Sequence, residues 1–207
     1  MFDGRVNYRF CIILLVILFT LALTFSGCSK YRTFTNNDGI AHFSFEYPGD
    51  IKKSHIHRVD AFVNVHFRRE IVKDGWFDKD LYIAAFKPPG FANTYISDAK
   101  TLLEQDIVCL DEAYEVSRVL ERSPININEI QGELVVSIYD YHTPRMPLPD
   151  APLKGTPQQP SLMMMIRSAY FNQGGLVWII RMIYTEEVAE ETTVDFEHII
   201  NTFKILD

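Results

Sequence analysis

Three textures of hydrophobicity follow one another along this chain. The first is a run from Phe10 to Phe25 that holds no charged side chain. The second is two-residue alternation. Phe43, Phe45 and Tyr47 are interleaved with Ser44 and Glu46, and Val63, Val65 and Phe67 with Asn64, His66 and Arg68. Successive side chains of a strand point to opposite faces, so such alternation predicts strands with one wet face. On this basis strands are expected over 31–35, 40–47, 54–59, 61–69, 81–86, 114–120, 133–141, 162–171 and 176–184. Their turns are marked by Asn36-Asn37-Asp38-Gly39, Lys73-Asp74-Gly75 and Asn172-Gln173-Gly174-Gly175. The third texture is helical. Ala99, Leu102, Leu103, Ile107 and Leu110 predict a helix over 98–113, with Ser97 as its N-cap and Asp98 in its first turn. Phe196, Ile199, Ile200 and Phe203 predict a last helix, capped by Thr192 or Thr193 and running into a short 203–206 extension.

The later strands are apolar on both sides. Trp178, Ile180 and Met182 alternate with Val177, Ile179 and Ile183, and Leu134, Val136 and Ile138 with Val135 and Tyr139. Strands of this kind are covered on both faces. Short hairpin connections make the sheet mostly antiparallel, and the two helices are the available covers. The expected class is α+β, an α/β/α sandwich around a mostly antiparallel sheet.

The apolar run has flanks of its own. Arg5 and Arg9 precede it, and Phe25-Ser26-Gly27-Cys28 follows at once. A basic start, an apolar middle and a small-residue end are the parts of a secretory signal. At 16 residues, the run is also short for a spanning helix, which needs about 20. The segment resembles the lipobox of bacterial lipoproteins, with Phe25 standing where Leu is usual. The resemblance implies cleavage of residues 1–27 and acylation of Cys28, palmitate being one such acyl chain. The chain from 28 to 207 would then be tethered to the cell membrane or outer membrane. Arg5 and Arg9 hold the N-terminus inside, so the body is expected outside the cytoplasm.

Without Asp3, Arg5 and Arg9, the expected mature chain keeps 18 basic and 26 acidic side chains, a net charge of about −8. That sign disfavours nucleic acid, whose phosphates need clustered Lys and Arg. Some 180 residues suit one domain. With Cys11 in the leader and Cys28 acylated, Cys109 is left alone, so no internal disulfide is expected. Its place in the helical pattern suggests a small, partly buried packing residue.

Several short motifs resemble the PsbP-like proteins, relatives of the extrinsic photosystem II subunit. They are Phe43-Ser44-Phe45-Glu46-Tyr47-Pro48, Glu121-Arg122-Ser123-Pro124, the strand opening at Gly132, the Trp178 hairpin, and the run from Phe196 to Ile205. The resemblance implies an α/β/α sandwich and a non-enzymatic binding or assembly module, with no catalytic residue to carry over. A Pro-rich insertion over 144–160 and the lipobox depart from that pattern and suggest a bacterial lipoprotein branch.

Candidate chemistry is sparse. His55 and His57 share one face of a strand and form the best metal signal, with Asp60, Glu46 or His66 as possible completions. No Gly-x-Ser-x-Gly elbow, P-loop or Gly-x-Gly-x-x-Gly occurs, so no catalytic residue and no cofactor are assigned. Alternation sends Met164 away from Met163 and Met165, which favours core filling over a ligand set. Glu186, Glu187, Glu190 and Glu191 read as a solvated acidic face. In the Pro-rich segment, Met146, Leu148 and Leu153 are apolar, and the prolines limit the entropy lost on docking. That segment reads equally as a partner-binding arm and as a disordered insertion. The functional expectation is a tethered, non-catalytic binding or assembly module for an envelope protein. The alternative is a metal-binding module using His55 and His57, and a hydrolase with a dispersed site stands third.

Overall fold

The structure is a computed structural model that describes residues 30–71, 76–88, 96–141 and 162–206. The expected leader, Cys28, the turn at 73–75 and the arm bearing Met146, Leu148 and Leu153 lie outside the described residues.

Strands β1 (Tyr31–Asn36) and β2 (Phe43–Pro48) form the hairpin expected from Asn36 to Gly39, and Gly39 adopts φ +78° in its turn. They do not join the main sheet. With β10 (Lys204–Ile205) they make a three-stranded sheet of their own. The main sheet has seven strands, all antiparallel. These are β3 (Lys52–Val59), β4 (Phe62–Ile71), β5 (Trp76–Phe86), β6 (Ser117–Ile127), β7 (Ile130–Asp140), β8 (Met163–Gln173) and β9 (Leu176–Thr185). Their order is β3-β4-β5-β9-β8-β7-β6. Helix α1 (Ala99–Ala113) lies between β5 and β6 in sequence, and α2 (Ala189–Thr202) follows β9 through a 3-10 turn at Glu186–Val188.

The two-sided strands are buried on both sides, as expected. On one face Val65, Ile83, Ala169, Trp178 and Ile180 pack with Phe43, Phe45, Phe196, Ile199 and Phe203. That face is covered jointly by α2 and the small sheet, so the expected purely helical cover is only part of the layer. On the other face α1 sets Ala99, Leu102 and Leu103 against Ala84, Phe86, Tyr170 and Ile179. The Trp178 ring lies between Phe171, stacked at 5.8 Å, and Phe43, edge-on at 5.5 Å. Its indole N–H donates to the Gln173 carbonyl at 3.1 Å, so the buried polar atom is satisfied.

Four sequence expectations fail for identifiable reasons. Asp98, not Ser97, caps α1, because its carboxylate accepts from the Thr101 N–H at 2.7 Å. Helix α2 starts earlier than Thr192 or Thr193 would place it, and its cap residue Val188 makes no side-chain bond. Thr192 is instead buried within the helix. Residues 121–132, between the expected strands 114–120 and 133–141, are strand almost throughout. Pro124 is tolerated because β6 is an edge strand, where no ladder donor is needed on the open side. The β6–β7 turn is made by Asn128 (φ 46°) and Glu129 (φ 76°), both left-handed as a two-residue hairpin requires. Finally, Cys109 is exposed rather than partly buried.

Candidate functional site

Register places one row of side chains across the main sheet, on the α1 side. His55 faces His66, His66 faces Tyr82, Tyr82 faces Arg181, and Arg181 faces Ser168. The row runs along the flank of the apolar patch that α1 covers, so it lies beside the core rather than in it. Two polar clusters are built on it.

The first centres on Asp80, which is fully buried. Its Oδ1 lies 2.6 Å from His66 Nε2, and both side chains are at most 3% exposed. An ionised carboxylate only accepts, so Nε2 carries the hydrogen and donates it. Arg68 closes on Asp80 from the solvent side through Nε and Nη2, each at 3.3 Å. Burial alone would push the Arg68 guanidinium down, but its bond to Asp80 holds it above its ordinary value. The His66 ring stacks on Tyr82 at 4.1 Å, with planes 10° apart. Burial, reinforced by the Asp80 charge, raises the Tyr82 hydroxyl's pKa. The other ring nitrogen of His66, Nδ1, faces Nδ1 of the exposed His55 at 3.3 Å.

His57 does share a strand face with His55, but its ring approaches Phe62 instead, at 6.0 Å between centroids. The ring that meets His55 is that of His66, at 4.8 Å between centroids. Among the described residues, no three His, Cys, Asp or Glu side chains form a ready ligand set. Asp80 lies just before the strand expected over 81–86, because β5 begins earlier, at Trp76. Extending the alternation back through Lys79 would have put Asp80 on the face of Tyr82.

The second cluster lines a cleft of about 220 Å³ between α1 and the sheet, bordered by Asp106, Cys109, Tyr114, Ser137, Ser168 and Arg181. Arg181 donates to Tyr170 Oη at 2.9 Å and to Ser168 Oγ at 2.9 Å, and it pairs with Asp106. Burial would lower its pKa, but Tyr170 and Asp106 more than offset this and raise it. The Arg181 cation is thus already matched inside the protein, which makes the cleft a poor site for a free anion.

A third polar group lies on the opposite face and ties Lys30 and Tyr31 to the last helix. The Lys79 ammonium, fully buried, is 2.6 Å from Asp195 Oδ2 and 2.6 Å from Glu191 Oε1. Arg69 joins it through Asp50 and Glu191, which also face Lys79, and is itself held by Asp78. One member of the acidic run before the last helix is therefore an internal partner, not merely a solvated charge. Asp195 also accepts from Tyr31 Oη at 3.0 Å and pairs with Lys30 at 3.2 Å, while the Tyr31 ring stacks on His198 at 3.6 Å. A carboxylate inside the stripe Thr192, Asp195, Phe196, Ile199 was the available signal, since buried acids are rare unless paired.

The chain's likeness to known proteins lies in this fold. No protein-family model matches the sequence, and no curated protein matches it. Among solved structures it is similar to the cyanobacterial PsbP of Synechocystis (CyanoP), with a TM-score of 0.54 and 11% identity, over 87% of this chain and 95% of that one. It is also similar to the Ran-binding protein Mog1p of Saccharomyces cerevisiae, with a TM-score of 0.50 and 10% identity, over 87% and 97% of the two chains. The chain has the PsbP/Mog1-like fold, a mostly antiparallel sheet with two helices. That is the fold that its short motifs resembled.

Proposed function

We propose that this protein is a lipid-anchored, extracytoplasmic binding or assembly module, built as a PsbP-type α/β/α sandwich and acting without catalysis on an envelope protein. The observation that carries the reading is the lock on Lys30 and Tyr31. Both are held by Asp195, and Tyr31 stacks on His198, so a point fixed to the body lies only two residues after Cys28 in sequence. Two residues span at most about 7 Å. A lipid on Cys28 therefore holds this body against the headgroups, where a membrane-borne partner would be met.

In support, a protein whose name describes it as Ran-binding has a similar fold. The apolar Met146, Leu148 and Leu153 remain the proposed partner contacts.

Fractionation of cells producing the full chain tests the anchor: Cys28→Ser should move the protein from the membrane to the soluble fraction. Deleting 145–159 should leave folding intact while abolishing recovery of the crosslinked partner. Membrane retention of the Cys28→Ser variant, or unchanged recovery by the deletion variant, contradicts the respective half of the reading.

A further inference from the structure

The most unusual arrangement on the polar row is a buried histidine held between a carboxylate and a second, exposed histidine. His66 and Asp80 are buried polar residues, at 2% and 0% exposure. Because Nε2 donates to Asp80, a neutral His66 ring presents its lone pair at Nδ1, and Nδ1 faces His55 Nδ1. We propose that His55 and His66 bind a borderline divalent transition-metal ion, of the Zn2+ or Cu2+ type, through their two Nδ1 atoms.

Three observations converge on this. The Nδ1–Nδ1 separation is 3.3 Å. That is long for a good hydrogen bond to nitrogen, yet it matches the spacing of two nitrogen ligands on a tetrahedral ion with bonds of about 2.0–2.1 Å. Second, Asp80 sits on the far nitrogen of His66, the arrangement by which a carboxylate fixes the tautomer and orientation of a metal-ligating imidazole. Asp80 is in turn held by Arg68, and Tyr82 stacks on the ring, so His66 is fixed before any ion arrives. Third, His55 lies on the edge strand β3 and is exposed, which opens the site to solvent.

The site has two protein ligands, and its remaining positions fall to water or to a side chain from a bound partner. Imidazole donors select against Ca2+ and Mg2+, which take oxygen. Arg68 partly cancels the Asp80 charge, and Lys52 and Lys53 share the edge strand, so binding is weaker than at a closed four-ligand site.

The test is calorimetric titration of the full-length protein in detergent with ZnCl2, paralleled by electron paramagnetic resonance with Cu2+. One ion per chain is expected, with nitrogen hyperfine structure from two imidazoles. His55 is exposed, so His55→Ala should fold normally and abolish binding. His57→Ala should leave affinity unchanged, and Asp80→Asn should weaken it about 10–100-fold if circular dichroism shows it folded. Absence of saturable binding overturns the proposal, as does binding unaffected by His55→Ala. Loss in His57→Ala equal to that in His55→Ala overturns the assignment to His66. The Cys28→Ser chain should bind as the parent does, which separates this result from the fate of the anchor.

Discussion

The Lys79 ammonium lies 2.6 Å from the Asp195 carboxylate, and neither side chain is exposed to solvent. Strand β5 and helix α2 are thereby joined through a charge pair whose members come from positions 116 residues apart. Removing Asp195 takes away the buried counter-ion of Lys79 and leaves it only the partly exposed Glu191 and Asp50. Asp195→Ala should therefore destabilise the fold by about 3–5 kcal/mol in urea titration. It should also release Lys30 and Tyr31, which share Asp195. Replacing the pair together by Met at 79 and Leu at 195 should cost far less, because a matched apolar pair carries no stranded charge. Equal losses in the single and double variants would contradict this.

Stability should have two pH limits. Lys79 is raised above its ordinary 10.5, since the bonds to Asp195 and Glu191 overcome burial. Burial also raises Tyr139 and Tyr170 above 10.0. Raised groups contribute below their unfolded values and lose that contribution as pH climbs, so stability should fall above about pH 10. Asp50 is lowered from 3.8 despite partial burial, because Lys79 and Arg69 face it, and Asp98 is lowered by the Thr101 N–H. Depressed acids contribute above the unfolded value and lose it on acidification, so stability should also fall below about pH 4. Melting temperatures measured between pH 3 and 11 check both limits.

The start of α1 separates two neighbouring residues. Asp98→Ala should cost about 1 kcal/mol, since it removes the side-chain acceptor of the Thr101 N–H. Ser97→Ala removes only exposed hydroxyl contacts to Asp98 and Thr101 and should cost less than about 0.5 kcal/mol. Chemical denaturation of the two variants side by side decides which residue caps the helix.

Gly132 is required by space rather than by backbone angle. A Cβ there would meet the Tyr170 carbonyl oxygen at 2.8 Å and Ile127 Cδ1 at 2.9 Å. Because one neighbour is backbone of the adjacent strand β8, it cannot swing aside. Gly132→Ala should destabilise by about 1–3 kcal/mol, read as a lower denaturation midpoint.

Periodicity made most of the fold legible. The alternation in β2, β4 and β9 and the helical stripe of α1 depend only on local geometry, and each appears where the pattern put it. What escaped depends on distant partners. The separation of β1 and β2 into their own sheet rests on pairing with Lys204 and Ile205 at the far end of the chain. Pro124 within a strand needs an edge position, which only strand order reveals. The site divides in the same way. The face shared by Asn64, His66 and Arg68 was readable, but the pairing of His55 with His66 required the β3–β4 register and its shift between Lys53 and His55. Asp80 and Asp195 were hidden because sequence shows a charge without showing its counter-ion.

The tether is the central claim, and intact-mass spectrometry of the protein isolated from its native membranes tests it most directly. The expected species begins at Cys28, lacks residues 1–27, and carries the added mass of a diacylglyceryl thioether. A species that retains the leader, or one that starts at Cys28 with a free thiol, would contradict it.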